Sequence, residues 1–512
     1  MNRRDILKGS TAAVATSLSS LRLLADVPPV AAVHQYEVFE LTLEGPSTGN
    51  PFVDQTVTAV FSLGNRSVPV DGFYDGGTTY KLRFMPDNPG PWTYTATTSF
   101  GAQLKGSFKC VPARPGVHGP VRVAGSHHFA HADGSPYFPF GTTCYAWTHQ
   151  GDTLELQTLA SLKGSPFNKI RMCVFPKSYE YNRNEPVFYP FVRPAGTALT
   201  SPGDTARFDT AFWAHLEQRI AQLQELHIQA DLILFHPYDR WGFASMSAEA
   251  DERYLRYAVA RLGAYANVWW SLANEFDLMK SKTTADFTRL LQIVQQADPY
   301  QHLRSIHYSR VMYDYASPLV THASLQTFAF DKASEWLEAW RKPIVFDEVM
   351  YEGDLDRRWG NISGEEMTRL FWLGILAGCY VTHGETYFPP QHSVPEDVIW
   401  WAKGGVLRGT SPTRIGFLRR LVESIAPTGL EPARDPYYLN ATGKSGILYY
   451  FDFHQPAAYE FPLGEGVYRA ELVDPWAMTR TPLPGTFTGK VRIPLPGKAY
   501  AAIIFRKSNQ PG

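Results

Sequence analysis

NVWWSLANEFD, residues 267–277, is the stretch that sets the fold class. Val268, Trp269, Trp270, Ser271, Leu272 and Ala273 make a run too apolar for a half-exposed strand. Such a run suits a strand covered on both faces, as in a parallel sheet wrapped by helices. It stops at Asn274 and Glu275. A carboxyl group at the end of a buried parallel strand costs stability unless it is used, and in a (β/α)8 barrel that strand end is where chemistry sits. Glu275 is therefore expected to act as a catalytic acid, with Asn274 as an amide that positions the ligand.

Working outward, seven more strand-like runs flank this one. They are YFPFGTTCYAW (137–147), NKIRMCVF (168–175), QADLILFHP (229–237), HLRSIHY (302–308), LVTHASLQT (319–327), KPIVFDE (342–348) and GCYVTHGETY (378–387). Helix-period segments lie between most of them. Phe212, Leu216, Ile220, Leu223 and Leu226 recur at three- and four-residue spacing, with Asp209 placed to cap. Eight strands alternating with helices over about 300 residues predict an α/β fold, a (β/α)8 TIM barrel. Between the second strand and its helix runs a long connection carrying Tyr179, Tyr181, Phe188, Tyr189 and Phe191. Loops of that length in a compact domain are usually functional, so this one is expected to wall a cleft.

The flanks alternate with period 2. QTVTAVFSL (55–63), GTTYKLRFM (77–85) and PWTYTATTSF (91–100) read as an N-terminal β-sandwich. SGILYYFDF (445–453), GVYRAELVD (466–474), GKVRIPL (489–495) and AYAAIIF (499–505) read as a C-terminal one. The expected domains are 33–112 for the first sandwich, 121–426 for the barrel and 431–508 for the second sandwich. Residues 1–32 open with Arg3, Arg4, Asp5, Ile6, Leu7 and Lys8 before an Ala/Ser-rich stretch, a twin-arginine export pattern. The expected location is the periplasm or the exterior.

A formal net charge of -1 supplies no field to attract nucleic acid or an anionic membrane. No run reaches the roughly 18 apolar residues of a membrane span. The chain is 14% aromatic, which fits both a large core and rings that stack on sugar faces. Cys110, Cys144, Cys173 and Cys379 lack metal or redox spacing and read as small buried hydrophobes. His127, His128 and His131 fall before the first barrel strand, on the side away from chemistry, and read as surface residues rather than metal ligands. No metal or other cofactor is expected, and the sequence sets no oligomeric state.

The seventh strand supplies a test, because it ends in Asp347 and Glu348. Carboxylates ending strands four and seven face each other across a barrel mouth. That arrangement suits glycosidic bond cleavage, and a separation of about 5–5.5 Å implies retention with a covalent intermediate. Arg171, inside the second strand, is expected beside the nucleophilic carboxylate, with a barrel-core salt bridge as the competing reading. Strict alternation turns Asp347 to the opposite face from Glu348. Strand ends also offer Trp147, His236, Tyr238, His307, Tyr308, Glu385 and Trp401 as sugar contacts.

Several phrases carry a family resemblance. FYDGGTTYKLRFMPDNPGPWTY (73–94), GSPYFPFGTTCYAW (134–147), THGETY (382–387) and WWAKGGVLRGTSPTRIGFLR (400–419) resemble the bacterial apiosidase-like hydrolases, within the retaining (β/α)8 clan A. The resemblance covers essentially the whole chain after the export segment. It implies Glu275 as acid/base, Glu348 as nucleophile, Asn274 on the hydroxyl beside the anomeric carbon and Arg171 supporting Glu348. Apiosidase itself carries an aspartate as acid/base where this chain has Glu275, so the reaction class carries over and the sugar does not. The expectation is an exported retaining glycoside hydrolase acting on a poly- or oligosaccharide. The alternatives are a non-catalytic carbohydrate-binding barrel and a metal-dependent barrel hydrolase.

Overall fold

The computed structural model describes residues 32–390, 398–433 and 435–508, so the twin-arginine pattern lies outside the described residues. Eight parallel strands form the centre: β1 (Gly141–Thr143), β2 (Lys169–Cys173), β3 (Gln229–Phe235), β4 (Val268–Ala273), β5 (Arg304–Ser305), β6 (Ala323–Gln326), β7 (Ile344–Glu348) and β8 (Tyr380–His383). β8 pairs with β1, and a parallel bridge from His307 to Ser324 joins the β5 and β6 edges. The sheet therefore closes into a barrel. Every residue of β4 is buried, as its apolar run requires.

Helices α1 (Asp152–Lys163), α2 (Thr210–Glu225), α3 (Ala248–Leu262), α4 (Thr284–Ala297), α5 (Ala333–Trp340), α6 (Gly364–Leu376) and α7 (Ser411–Ile425) surround it. Asp209 caps α2 through Ala211 N, and Phe212, Leu216, Ile220 and Leu223 turn inward. Among the described residues no helix links β5 to β6. That crossing carries turn-forming Asp314, Ser317 and Pro318, and buried Tyr315 fills the gap with its hydroxyl near the carbonyls of Ile306 (2.9 Å) and Ser324 (2.5 Å).

A small three-stranded sheet (Val121–Ala124, His128–His131, Pro136–Tyr137) plugs the barrel floor, where Phe129 packs on Trp269, His322 and Tyr380. The three histidines here are half-buried and bonded rather than free on the surface. His127 pairs with Leu337 O, His128 with Tyr380 Oη and Glu431, and His131 with Gly119 O. All four cysteines are buried free thiols.

The N-terminal sandwich packs a five-stranded sheet on a three-stranded one around Phe39, Phe61, Tyr94 and Phe108. Arg83 reaches from it to Glu217 of α2, which also holds Arg261 of α3. The C-terminal sandwich has its own core around Tyr449, Phe461 and Phe505. It docks on α6, with Trp372 stacked on Tyr450 and Arg369 clamped to Asp452 by 2.6 and 2.9 Å bonds. The long connection after β2 divides its work. Its first turn faces the barrel mouth, while its hairpin (Phe191–Val192 with Asp204–Phe208) binds the N-terminal sandwich through Phe208 against Phe52.

Candidate active site

At the C-terminal end of the barrel a cavity of about 680 Å³ opens between the loops, lined by Glu275, Glu348, Asn274 and a ring of aromatic side chains. Two backbone irregularities aim its carboxylates. Glu275 ends β4 in the left-handed region, φ 49°, which is strained for a residue with a Cβ. On β7 the register skips, Leu325 pairing with Phe346 but Gln326 with Glu348. This bulge inserts Asp347 as an extra residue and re-aims the side chains beyond it. Asp347 and Glu348 consequently both turn inward, at different depths, where strict alternation had put them on opposite faces.

One amide fixes the distance between the carboxylates. Gln326 Nε2 donates to Glu275 Oε1 at 3.2 Å and to Glu348 Oε2 at 3.1 Å. The two oxygens can be no further apart than those bonds laid end to end. Tyr145 donates its hydroxyl to Glu348, and Tyr238 donates to Glu275. Asn274 Oδ1 accepts from Arg171 (3.3 Å), with the Tyr145 hydroxyl 3.3 Å away, which turns its Nδ2 toward Glu275 (3.3 Å). Burial, then the neighbouring Glu275 charge, push the Glu348 carboxyl up, while Arg171, Tyr145 and Lys177 pull it back.

Beneath the mouth lies a second charged layer, wholly buried. Lys169 Nζ bonds Asp231 (2.8 Å) and Asp347 (2.9 Å), and Asp347 also accepts from Ser324 and Thr382. Burial alone raises a carboxyl, but Lys169, then Arg171, hold Asp347 far below its ordinary value. Arg171 bridges the two layers, 3.9 Å from Asp231 and Asp347 below and 3.5 Å from Glu348 above. Both readings of that arginine describe part of what it touches.

Of the strand-end candidates, Tyr238 and Trp401 line the cavity with Asn274 and the two glutamates. His307 stays below, 3.8 Å from Glu348 Oε1, and Tyr308 packs beside it without reaching the cavity wall. Three candidates point elsewhere. Trp147 sits in a short 3-10 turn that swings its indole onto Met172 Sδ in the core. His236 is buried against Phe175 O. Glu385 is gripped by the backbone N–H groups of Arg408 and Gly409, and Glu352 likewise takes Thr410 N and Ser411 N at the start of α7. These two carboxylates hold the loop after β8 rather than a ligand.

Sequence reading missed Lys177, Gln326, Tyr351 and Trp359, all of which line the cavity. Gln326 ends β6 as a polar residue after an apolar run, the same signal that flagged Asn274. The other three sit on loops, whose course no periodicity reports.

Comparison with known proteins finds three matched regions in the chain. The family model described as "Apiosidase-like, catalytic domain" matches residues 124–425. Two domain families of unknown function, DUF5060 and DUF5605, match residues 32–99 and 437–506. A Bacteroides vulgatus ATCC 8482 crystal structure, inferred to be a glycoside hydrolase, is 40% identical with a TM-score of 0.86. That match covers 93% of this chain and 99% of the other. A glycoside hydrolase family 5 structure from the same organism shares the fold at 14% identity, with a TM-score of 0.59 over 77% of this chain and 94% of that one. A search of curated proteins finds no match. With this architecture and these matches, the chain belongs to the apiosidase-like glycoside hydrolases.

Proposed function

We propose that the protein cleaves a glycosidic bond with retention of configuration, Glu275 serving as acid/base and Glu348 as nucleophile. The observation that carries this is the single Gln326 nitrogen bonded to both carboxylates. It holds one oxygen of each within two hydrogen bonds of the other, on the short side of the roughly 6.5–9.5 Å between carboxyl groups that leaves room for a water in an inverting site. The division of roles rests on the surroundings. Glu348 has Arg171 at 3.5 Å and the Tyr145 hydroxyl on the same oxygen, which favours its anion as attacking group. Glu275 has no cation within 4.0 Å among the described residues, which leaves it the acid/base role.

In the first step Glu348 attacks the anomeric carbon as Glu275 protonates the departing oxygen, giving a glycosyl ester on Glu348. Glu275, now a carboxylate, takes a proton from water, whose oxygen displaces the ester and restores both groups. Asn274, oriented by the bond its Oδ1 accepts from Arg171, is set to hold the hydroxyl beside the anomeric carbon with its Nδ2. The cavity falls within the roughly 300–1,000 Å³ of small-ligand pockets, room for the end of an oligosaccharide. Residues 1–32 direct export through the twin-arginine pattern, placing the enzyme where such glycans are met.

The test is turnover of aryl glycosides and oligosaccharides, with the product anomer followed by NMR from the first seconds. Wild-type enzyme should release the same anomer as the substrate. Glu275→Gln and Glu348→Gln should each lose about 10³- to 10⁴-fold in kcat on natural glycosides. Full activity in both variants removes the assignment, and an inverted product removes the nucleophile.

A further inference from the structure

Lys177 lines the same cavity and is only 2% exposed. Its ammonium sits in a box of rings, 3.5 Å from the Tyr145 centroid, 4.4 Å from Tyr238, 4.7 Å from Tyr179 and 5.7 Å from Trp401. Among the described residues no carboxylate lies within the 4.0 Å of an ion pair. An ammonium taken out of water keeps its charge only where something replaces the lost hydration. Ring faces replace part of it, and the remaining open side is the cavity itself.

The backbone there is fixed before any ligand arrives. Asn182 Nδ2 donates to Lys177 O at 2.6 Å, and Ser178 N donates to Tyr238 O at 2.9 Å. Lys177 draws the Glu348 carboxyl down from a distance, but Arg171 already stands against Glu348 and Lys177 is beyond ion-pair distance of both glutamates. Burial pushes the Lys177 ammonium down from its ordinary value, and an arriving anion would offset that push. Arg310, exposed on the cavity wall, adds positive charge on the approach.

We propose that Lys177 receives the carboxylate of an acidic sugar held against Glu275 and Glu348, so that the substrates are glycosides of uronic acids. This inference rests on the glycosidase reading above for its chemistry but not for its binding. The wild-type protein is assayed with matched aryl glycuronides and neutral aryl glycosides, and titrated calorimetrically with free uronates and the corresponding neutral sugars. Acidic glycosides should be turned over at least a hundredfold better in kcat/KM, and uronates should bind at least tenfold tighter. Lys177→Met should abolish that preference, lowering kcat/KM on acidic glycosides at least tenfold more than on neutral ones, with its fold checked by circular dichroism and thermal midpoint. Should that variant not fold, the wild-type titrations decide. Equal treatment of acidic and neutral sugars overturns the proposal, as does equal loss on both in Lys177→Met. Uronate binding with no cleavage of any glycoside leaves the anion site standing and removes the catalytic reading instead.

Discussion

Two charged layers are stacked in one barrel, and they obey opposite rules. In the lower layer each charge has an opposite partner: Lys169 between Asp231 and Asp347, Arg171 alongside, Ser324 and Thr382 completing Asp347. In the upper layer two carboxylates share one amide nitrogen, and a lysine faces rings. Charge arranged for stability is paired and bonded, whereas charge arranged for chemistry is left in conflict until a ligand resolves it. The layers are joined by Arg171, which keeps the conflict of the upper one within bounds.

The most severe break of this comparison is Lys169→Met. Asp231 and Asp347 would then face each other in the dry interior with Arg171 as their remaining cation. Losing one partner of a buried charge cluster costs about 3–5 kcal/mol, to be read from urea unfolding at pH 7. Adding Asp231→Asn should recover part of the loss, a coupling that a double-mutant cycle measures. The surviving folded fraction should turn over substrate with a nearly unchanged KM. A variant with unaltered stability but no turnover would place the lower layer in the chemistry and erase the distinction.

How far each layer was legible depends on the forces that produce it. The eight strands were readable because burial on both faces writes a local apolar run, and Glu275 and Glu348 because they end such runs. Lys169 and Asp231 were not paired in advance, since which residues meet depends on strand register, and register is not local. The β7 bulge was equally hidden: Asp347 looks like an alternating neighbour of Glu348 until the pairing with β6 is known. The strand-end rule overreached at Trp147, His236 and Glu385, where the chain turns before the side chain can enter the mouth. Lys177 lies four residues beyond β2, and only the fold of that loop brings it between Tyr145 and Tyr238.

A pH series sharpens the comparison from the side of the neutral groups. Burial, the leading cause, lowers His149 to about 4 and His236, His322 and His383 to about 3. Unfolded, each takes a proton near pH 6.5. Below that value the unfolded chain binds more protons than the folded one, so stability is present above pH 6.5 and falls as the pH drops toward 4. Each histidine contributes about 1.4 kcal/mol per pH unit to that slope. Urea midpoints at pH 7.5, 6 and 5 should fall steeply, and His322→Gln and His383→Gln should each flatten the fall. Equal midpoints at pH 7.5 and 5 would mean that these rings are protonated inside the fold.

The smallest effect has the opposite sign and bears on the upper layer alone. Glu348 is pushed up by burial and by Glu275, so the cost of its charge to folding is complete above its folded value and gone below its unfolded one. Glu348→Gln removes that charge while keeping the shape. Tyr145, whose hydroxyl is also 3.3 Å from Asn274 Oδ1, can turn its proton there and accept from the new amide. Stability should therefore rise by about 1 kcal/mol at pH 8, a typical stability–activity exchange at an active site, and the gain should shrink toward pH 5 as the wild-type carboxyl protonates. Thermal midpoints of the two proteins across that range measure it. A loss at pH 8 would mean that Arg171 and Tyr145 outweigh the repulsion, and that the upper layer is as well paired as the lower.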